Sequence, residues 1–432
     1  MTLLGTVRIN LARFIRLRRW VSEGSPPTVS QSLDTSPTRG EDKSQEDASL
    51  FLPSPLVGEG GKSSSRVGGK PLPPKRLATL APSRRKGRAT VISFLAALLA
   101  IHAVMFVVSG DSRVRDPEYG RRSASLRERI AENPGRPVTV VLGSSRVAMG
   151  VRPTAWEAAR PGEASRPDPL IFNMGLIGSG PIMELMTLRR LYADRHKPDI
   201  VLLEFWPPFL YHEGAWTETN RIAADRLVEC DRQIVREYFP DVERVERDMD
   251  WRRRNPIFAN RERLLVQIQP RWLLPEKRTD WLWDDMDTWG WKPGTDLQVG
   301  INDVRAEAHA RCAEIYKPMF QTHRISPVAK QAFRESVALA RQHGATVGFV
   351  YLPESTEFRR LYPADLERRL RGYRERLCRD LGVPIIDCRD WVDDGFIVDG
   401  FHLSRLGAAE FTRKLGPAVA ATFPRIHESV KP

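Results

Sequence analysis

Val138-Thr139-Val140-Val141-Leu142, followed at once by Gly143-Ser144-Ser145-Arg146, is the stretch from which the rest of the chain is read. Five residues rich in β-branched side chains and closed by a glycine predict a short buried strand. Val147-Ala148-Met149-Gly150 then lead into a helix. A serine at the tip of a strand, opening a helix, has an exposed hydroxyl and a backbone N–H without a helical partner. Both suit a nucleophile whose oxyanion needs donors. Ser and Gly also favour ordinary turns, so the tetrapeptide alone decides little.

Similar aliphatic runs recur at 170–172, 200–205, 346–351 and 384–386, with helical patterns between them at 181–195, 327–343, 363–381 and 404–414. Strands alternating with helices predict an α/β fold: a three-layer α/β/α, flavodoxin-like parallel sheet covered on both faces. Ligands of such sheets bind at the carboxyl ends of the strands. The alternation breaks over 209–325, a charged, Trp-rich stretch expected to form a helical insertion between the third and fourth strands.

Asp399-Gly400-Phe401-His402-Leu403-Ser404-Arg405-Leu406-Gly407 supplies the second chemical piece. An Asp three residues before a His lets the carboxylate orient the imidazole while the other ring nitrogen takes a proton from a serine. This local pattern is more specific than either residue alone.

Together, Gly143-Ser144-Ser145-Arg146 after the first strand and the late Asp399–Gly407 block resemble the first and last blocks of the SGNH, or GDSL-like, hydrolases. The similarity is strongest to their membrane-anchored branch of polysaccharide O-acetyltransferase and D-alanylation proteins. It covers residues 136–208 and 326–420. The resemblance implies Ser145 as nucleophile, chosen over Ser144 because the reactive serine stands two after the glycine, with His402 as general base and Asp399 as its orienter. Asn173-Met174-Gly175-Leu176-Ile177-Gly178 matches the second block, which implies the N–H groups of Ser145 and Gly178 as oxyanion donors. Asn173 and Arg146 are expected to support the site. The third block departs from the pattern: Leu203-Glu204-Phe205-Trp206-Pro207-Pro208 has Pro208 where an oxyanion-binding Asn is expected. Either another donor, such as the Trp206 indole, takes its place, or turnover is slow or transferase-like. Glu204 reads as a structural carboxylate at a strand end, with a catalytic role as the alternative.

The expected activity is that of a serine esterase or O-acyltransferase on acyl or acetyl esters of an exported or envelope polysaccharide, with no cofactor. Two other readings remain: a glycan-binding protein on a degenerate scaffold of this kind, and a nucleotide-binding domain built on Gly175, Gly178 and Gly180. The latter glycines run GxxGxG, not GxGxxG, and leave Ser145, Asp399 and His402 unused. Trp272, Trp281, Trp283, Trp289 and Trp291 suggest sugar platforms, a membrane-facing surface or a local core. Trp251 with Arg252, Arg253 and Arg254 reads as a solvated basic helix face, the alternative being a contact with an anionic polymer or a lipid headgroup. Cys230, Cys312, Cys378 and Cys388 show no metal-ligand spacing, so no metal is expected, and they are expected as isolated buried thiols, disulfides being the alternative.

The net charge of +13 invites a nucleic-acid reading, but its distribution opposes it. Residues 1–90 carry 16 basic and 7 acidic residues, leaving 51 and 47 for the remainder, which is nearly balanced. Residues 1–88, rich in Ser, Pro, Gly and charge, are expected to be a disordered basic leader, or a segment preceding a true start placed further downstream. Residues 89–109 are expected to be one transmembrane helix, a cleaved signal peptide being the alternative. Arg84, Arg85, Lys86 and Arg88 before the span place the N-terminus in the cytoplasm and the body outside. A juxtamembrane linker or helix, 110–135, then precedes the catalytic domain, 136–425.

Overall fold

The computed structural model describes residues 84–160, 168–211, 213, 217–294 and 302–424. Most of the expected leader, residues 1–83, lies outside them. Contacts divide the chain into two units, 1–92 and 93–432. The first is described only where the helix Arg84–Val108 begins. Within that helix, Gly87–Val108 is long and apolar enough to cross a membrane, and no other described helix is.

The second unit is an α/β domain built on five parallel strands: β1 (Val138–Gly143), β2 (Leu170–Gly175), β3 (Ile200–Glu204), β4 (Thr346–Tyr351) and β5 (Ile385–Asp387). Their order is β2-β1-β3-β4-β5. The chain steps to one side of β1 to form β2 and to the other to form β3, the switch that opens a crevice at the strands' carboxyl ends.

Alternate strand residues feed two cores, as the period-2 geometry of a strand requires. Val140, Leu142, Phe172, Leu203 and Phe349 face one layer, packed with Leu185, Phe333 and Leu370 of the helices Pro181–Ala193, Pro327–Gln342 and Ala364–Leu381. Val141, Ile171, Leu202 and Val350 face the other, against Trp156 and Phe411 of Pro153–Ala159 and Arg405–Thr422. Each such buried side chain contributes roughly 1.5–3 kcal/mol of apolar transfer energy. The helix Pro327–Gln342 shows how local sequence sets an element: Ser326 caps it by accepting from Ala329 N–H, and proline stands in its first turn. Ala329, Ala332, Phe333, Ser336, Val337 and Ala340 then recur on one buried face.

The segment 110–135 is part of the folded body. It forms Ser112–Arg115 and Pro117–Glu132, and Tyr119 and Leu126 of the longer helix enter the core. Asp116 and Glu118 anchor it electrostatically. Arg190 meets Asp116 at 3.0 Å and Asp231 at 2.6 Å, while Arg226 meets Asp116 at 3.1 Å and Glu118 at 3.0 Å. Burial alone would push the Asp116 carboxyl up, but Arg226 and Arg190 outweigh it and bring the group to about 2.

The insertion 209–325 folds back onto the sheet. The Trp289 carbonyl accepts the Asn173 N–H at 3.1 Å, and Lys292 N–H donates to Ala148 O at 2.9 Å. The fully buried Arg122 holds the Gly290 carbonyl at 3.0 Å. The open edge of β2 is thereby covered, which removes a site of unwanted strand pairing. The tryptophans divide accordingly: Trp283 and Trp291 are buried, Trp289 is half-buried, and Trp251, Trp272 and Trp281 are exposed. All four cysteines are free thiols, but only Cys312 and Cys388 are buried as expected; Cys378 is half-buried and Cys230 is exposed.

Candidate active site

β1 ends in Gly143, whose position admits no side chain: a Cβ there would lie 2.4 Å from Val147 Cγ2 and 2.6 Å from Glu204 Oε2. This closeness lets Glu204, at the end of β3, accept the Ser144 N–H at 2.7 Å. Ser144 is fully buried, and its hydroxyl caps the following helix by accepting Arg146 N–H at 3.1 Å. Ser145, the first residue of that helix, turns the other way and is partly exposed. The two adjacent serines thus have separate tasks.

Ser145 Oγ lies 2.8 Å from His402 Nε2, and His402 Nδ1 lies 2.7 Å from Asp399 Oδ2. The second carboxylate oxygen, Oδ1, accepts the backbone N–H of His402 at 3.0 Å and of Phe401 at 3.3 Å. An ionised carboxylate only accepts, so the imidazole carries its proton on Nδ1 and presents a free Nε2 to the serine. Burial would push the Asp399 carboxyl up; the facing His402 and the two N–H groups hold it below the usual range. Residues separated by 257 positions in sequence meet because β1 and the loop before Arg405–Thr422 both end at the same edge of the sheet.

Leu176–Ser179 forms a tight turn closed by Ser179 N–H donating to Leu176 O at 3.0 Å, with Gly178 at φ +80° in its third position. That is the sign of φ a type II turn demands there, which glycine adopts without strain. Neither the Ser145 N–H nor the Gly178 N–H donates to an acceptor among the described residues. Asn173 is fully buried behind them. Its amide donates to the carbonyls of Val147 (2.7 Å), Ala148 (3.1 Å) and Val151 (2.6 Å), and its oxygen accepts Gly175 N–H at 2.9 Å. Asn173 therefore joins the serine-bearing helix to β2 and does not face the crevice.

Three residues that the sequence did not single out fix this turn. Glu118 accepts Ile177 N–H at 2.8 Å. Arg221, in the insertion, donates to the Gly178 carbonyl at 3.0 Å with its guanidinium 4.0 Å from the Phe209 ring centroid. Glu218 accepts the N–H groups of Gly180, Ile182 and Met183 at 2.9, 2.9 and 2.8 Å. That last contact bears on the nucleotide reading: the helix start where a pyrophosphate would sit is filled by the protein's own carboxylate.

At the third block, the Trp206 indole does not supply the missing oxyanion donor. It is buried and donates to the buried Glu354 carboxyl at 3.0 Å, so its N–H is already engaged. Pro208 lies in the buried turn Pro207–Leu210 and has no N–H to give. Arg146, whose side chain is fully buried, donates to the carbonyls of Leu352 (2.8 Å) and Pro353 (3.0 Å) and meets Glu204 at 3.3 Å. Among the described residues no cluster of His, Cys, Asp and Glu could hold a metal ion.

No family model matches the chain, and no curated protein matches it. Among solved structures, a candidate arylesterase from Agrobacterium tumefaciens strain C58 aligns with 67% of this chain and 100% of its own at 13% identity. The TM-score is 0.28, a superposition too loose to carry weight for fold or function.

Proposed function

We propose that the chain is a membrane-anchored serine esterase or O-acyltransferase of the SGNH kind, acting outside the cytoplasm on acyl or acetyl esters of an envelope or exported polysaccharide. The observation that carries this reading is the chain of hydrogen bonds from Asp399 through His402 to Ser145 at the carboxyl ends of the strands. Ser145 Oγ attacks the ester carbonyl carbon while His402 Nε2 takes its proton, and Asp399 stabilises the resulting imidazolium. The oxyanion receives the Ser145 and Gly178 N–H groups. The tetrahedral intermediate collapses with cleavage of the bond to the leaving alcohol, which takes the proton from His402. Water or a sugar hydroxyl then attacks the acyl-enzyme by the reverse route. With Pro208 in place of a side-chain donor, the hole has two backbone donors, which slows attack by water and by a sugar hydroxyl alike.

A fluorophosphonate probe tests the reading directly. The protein is expected to form one covalent adduct, on Ser145, that Ser145→Ala abolishes and Ser144→Ala retains. A folded protein that stays unlabelled would refute the enzyme.

Arg221 acts as a positioning residue in this scheme, since it touches the turn and not the reacting atoms. Arg221→Gln is expected to lower kcat by roughly tenfold to a hundredfold, the scale of a small misplacement of a reacting group. KM should change little, and Arg221→Lys should recover part of the loss. Steady-state kinetics on an activated acyl ester, with melting temperature as the folding control, separates this from general destabilisation.

A further inference from the structure

The helix Pro256–Ile268 in the insertion turns polar side chains inward beside the buried Val266. Asn260 is buried, Arg263 is paired with Asp225 at 2.6 Å, and Gln267 donates to the Val114 carbonyl at 3.1 Å. The outward face, read at spacings of three and four, carries the exposed Arg261 and Ile268 and the half-buried Ile257 and Leu264, with the exposed Phe258 beside them. Phe258 is 63% exposed and Ile268 47%. Immediately beyond, Trp272, Leu274 and Trp281 are 70%, 60% and 50% exposed, above a small core of Val266, Leu273 and Trp283. Apolar side chains gathered in this way on a water-facing surface mark a binding face, not a random scatter.

We infer that this face lies on the bilayer surface, with a phospholipid membrane as its partner. Two observations choose that occupant. Val114, to which the helix is bonded, belongs to Ser112–Arg115, the helix that follows the apolar span ending at Val108, so chain connectivity keeps the face within reach of the membrane. Residues 251–281 also hold 8 basic and 3 acidic residues; three of the basic ones, Arg252, Arg253 and Arg263, are paired with Asp248, Glu229 and Asp225 outside the stretch, which leaves a basic excess of two. An amphipathic helix with exposed Trp and Phe and a basic surround has the composition of an interfacial segment, drawn to anionic headgroups by charge and held by its apolar face. The inference rests on reading Gly87–Val108 as a membrane span.

The test uses the full chain reconstituted in vesicles of phosphatidylcholine and phosphatidylglycerol, with the photo-cross-linking residue benzoylphenylalanine in place of Phe258, Trp272, Glu243 or Leu99, followed by irradiation and mass spectrometry. Glu243, 88% exposed on the neighbouring helix, is the aqueous control, and Leu99 reports the span. Phospholipid adducts are expected at positions 258, 272 and 99, with none at 243. Adducts at 99 but at neither 258 nor 272, equal adducts at 243, or a cross-link from 258 to a second copy of the chain would overturn the inference alone. Absence of adducts at 99 would remove the span and this inference with it.

Discussion

Ser145→Ala is expected to lower turnover of an activated acyl ester by roughly four to six orders of magnitude, the scale seen when the nucleophile of a triad is removed. The reason lies in the geometry: Ser145 Oγ is the atom His402 Nε2 faces at 2.8 Å, and the neighbouring hydroxyl, Ser144, is engaged as a helix cap. Among the described residues no second hydroxyl bonds His402 Nε2. His402→Ala should cost about as much, and the double variant little more than either alone, because the two act as one unit. Asp399→Asn should cost about ten-thousandfold, since an amide in place of the carboxylate favours the imidazole tautomer with its proton on the wrong nitrogen. The melting temperature of Ser145→Ala should stay close to that of the parent, because only one partly exposed hydrogen bond is lost, worth about 1 kcal/mol. Turnover that survives Ser145→Ala in protein freed of contaminating esterases would end the proposed mechanism.

Much of the fold was legible because it depends on the period of apolar residues. The run Val138–Gly143 announces a strand, and Leu366, Leu370, Tyr373 and Leu377 announce the buried face of a helix that ends at Gly382 in the left-handed conformation. Ser145, Asp399 and His402 were legible for another reason: each stands in a short local pattern whose chemistry constrains its neighbours. Glu118, Glu218 and Arg221 carry no such mark. Each is one charged residue among many, and its task comes from meeting a backbone group far away in sequence, Ile177, Gly180 or Gly178. The tryptophans of the insertion were ambiguous for a related reason. Composition gives their density, but whether Trp283 packs under a helix or Trp272 stands in solvent depends on how the insertion returns to the edge of β2. The Trp206 indole went to Glu354, a residue 148 positions away, and no spacing rule could have placed it there.

Arg146→Met is expected to destabilise the domain by about 3–5 kcal/mol, the cost of removing one partner from a buried charge cluster. Arg146 has a fully buried side chain between Glu204 at 3.3 Å and Glu354 at 3.9 Å, and its guanidinium lies 4.8 Å from the Trp206 ring centroid. Methionine fills much of the volume but leaves both carboxylates without their cation and the carbonyls of Leu352 and Pro353 without a donor. The loss should depend on pH with a definite sign. Burial already pushes the Glu354 carboxyl above its ordinary value of 4.5, with Arg146 the chief group pulling it back down. Without Arg146 the folded protein holds that proton more tightly than the unfolded chain does, so stability falls as pH rises above about 4.5. Urea unfolding at a series of pH values should therefore show a small penalty in acid that grows toward neutrality. Arg146→Lys keeps the charge but not the planar fork, and should recover part of the stability while still weakening the Leu352 and Pro353 contacts. Arg146 also reaches toward the Phe401 carbonyl, next to His402, at 3.5 Å. Even under conditions where Arg146→Met stays folded, its acyl turnover should fall, because the loop that sets His402 against Ser145 has lost its buried tie to the serine-bearing helix.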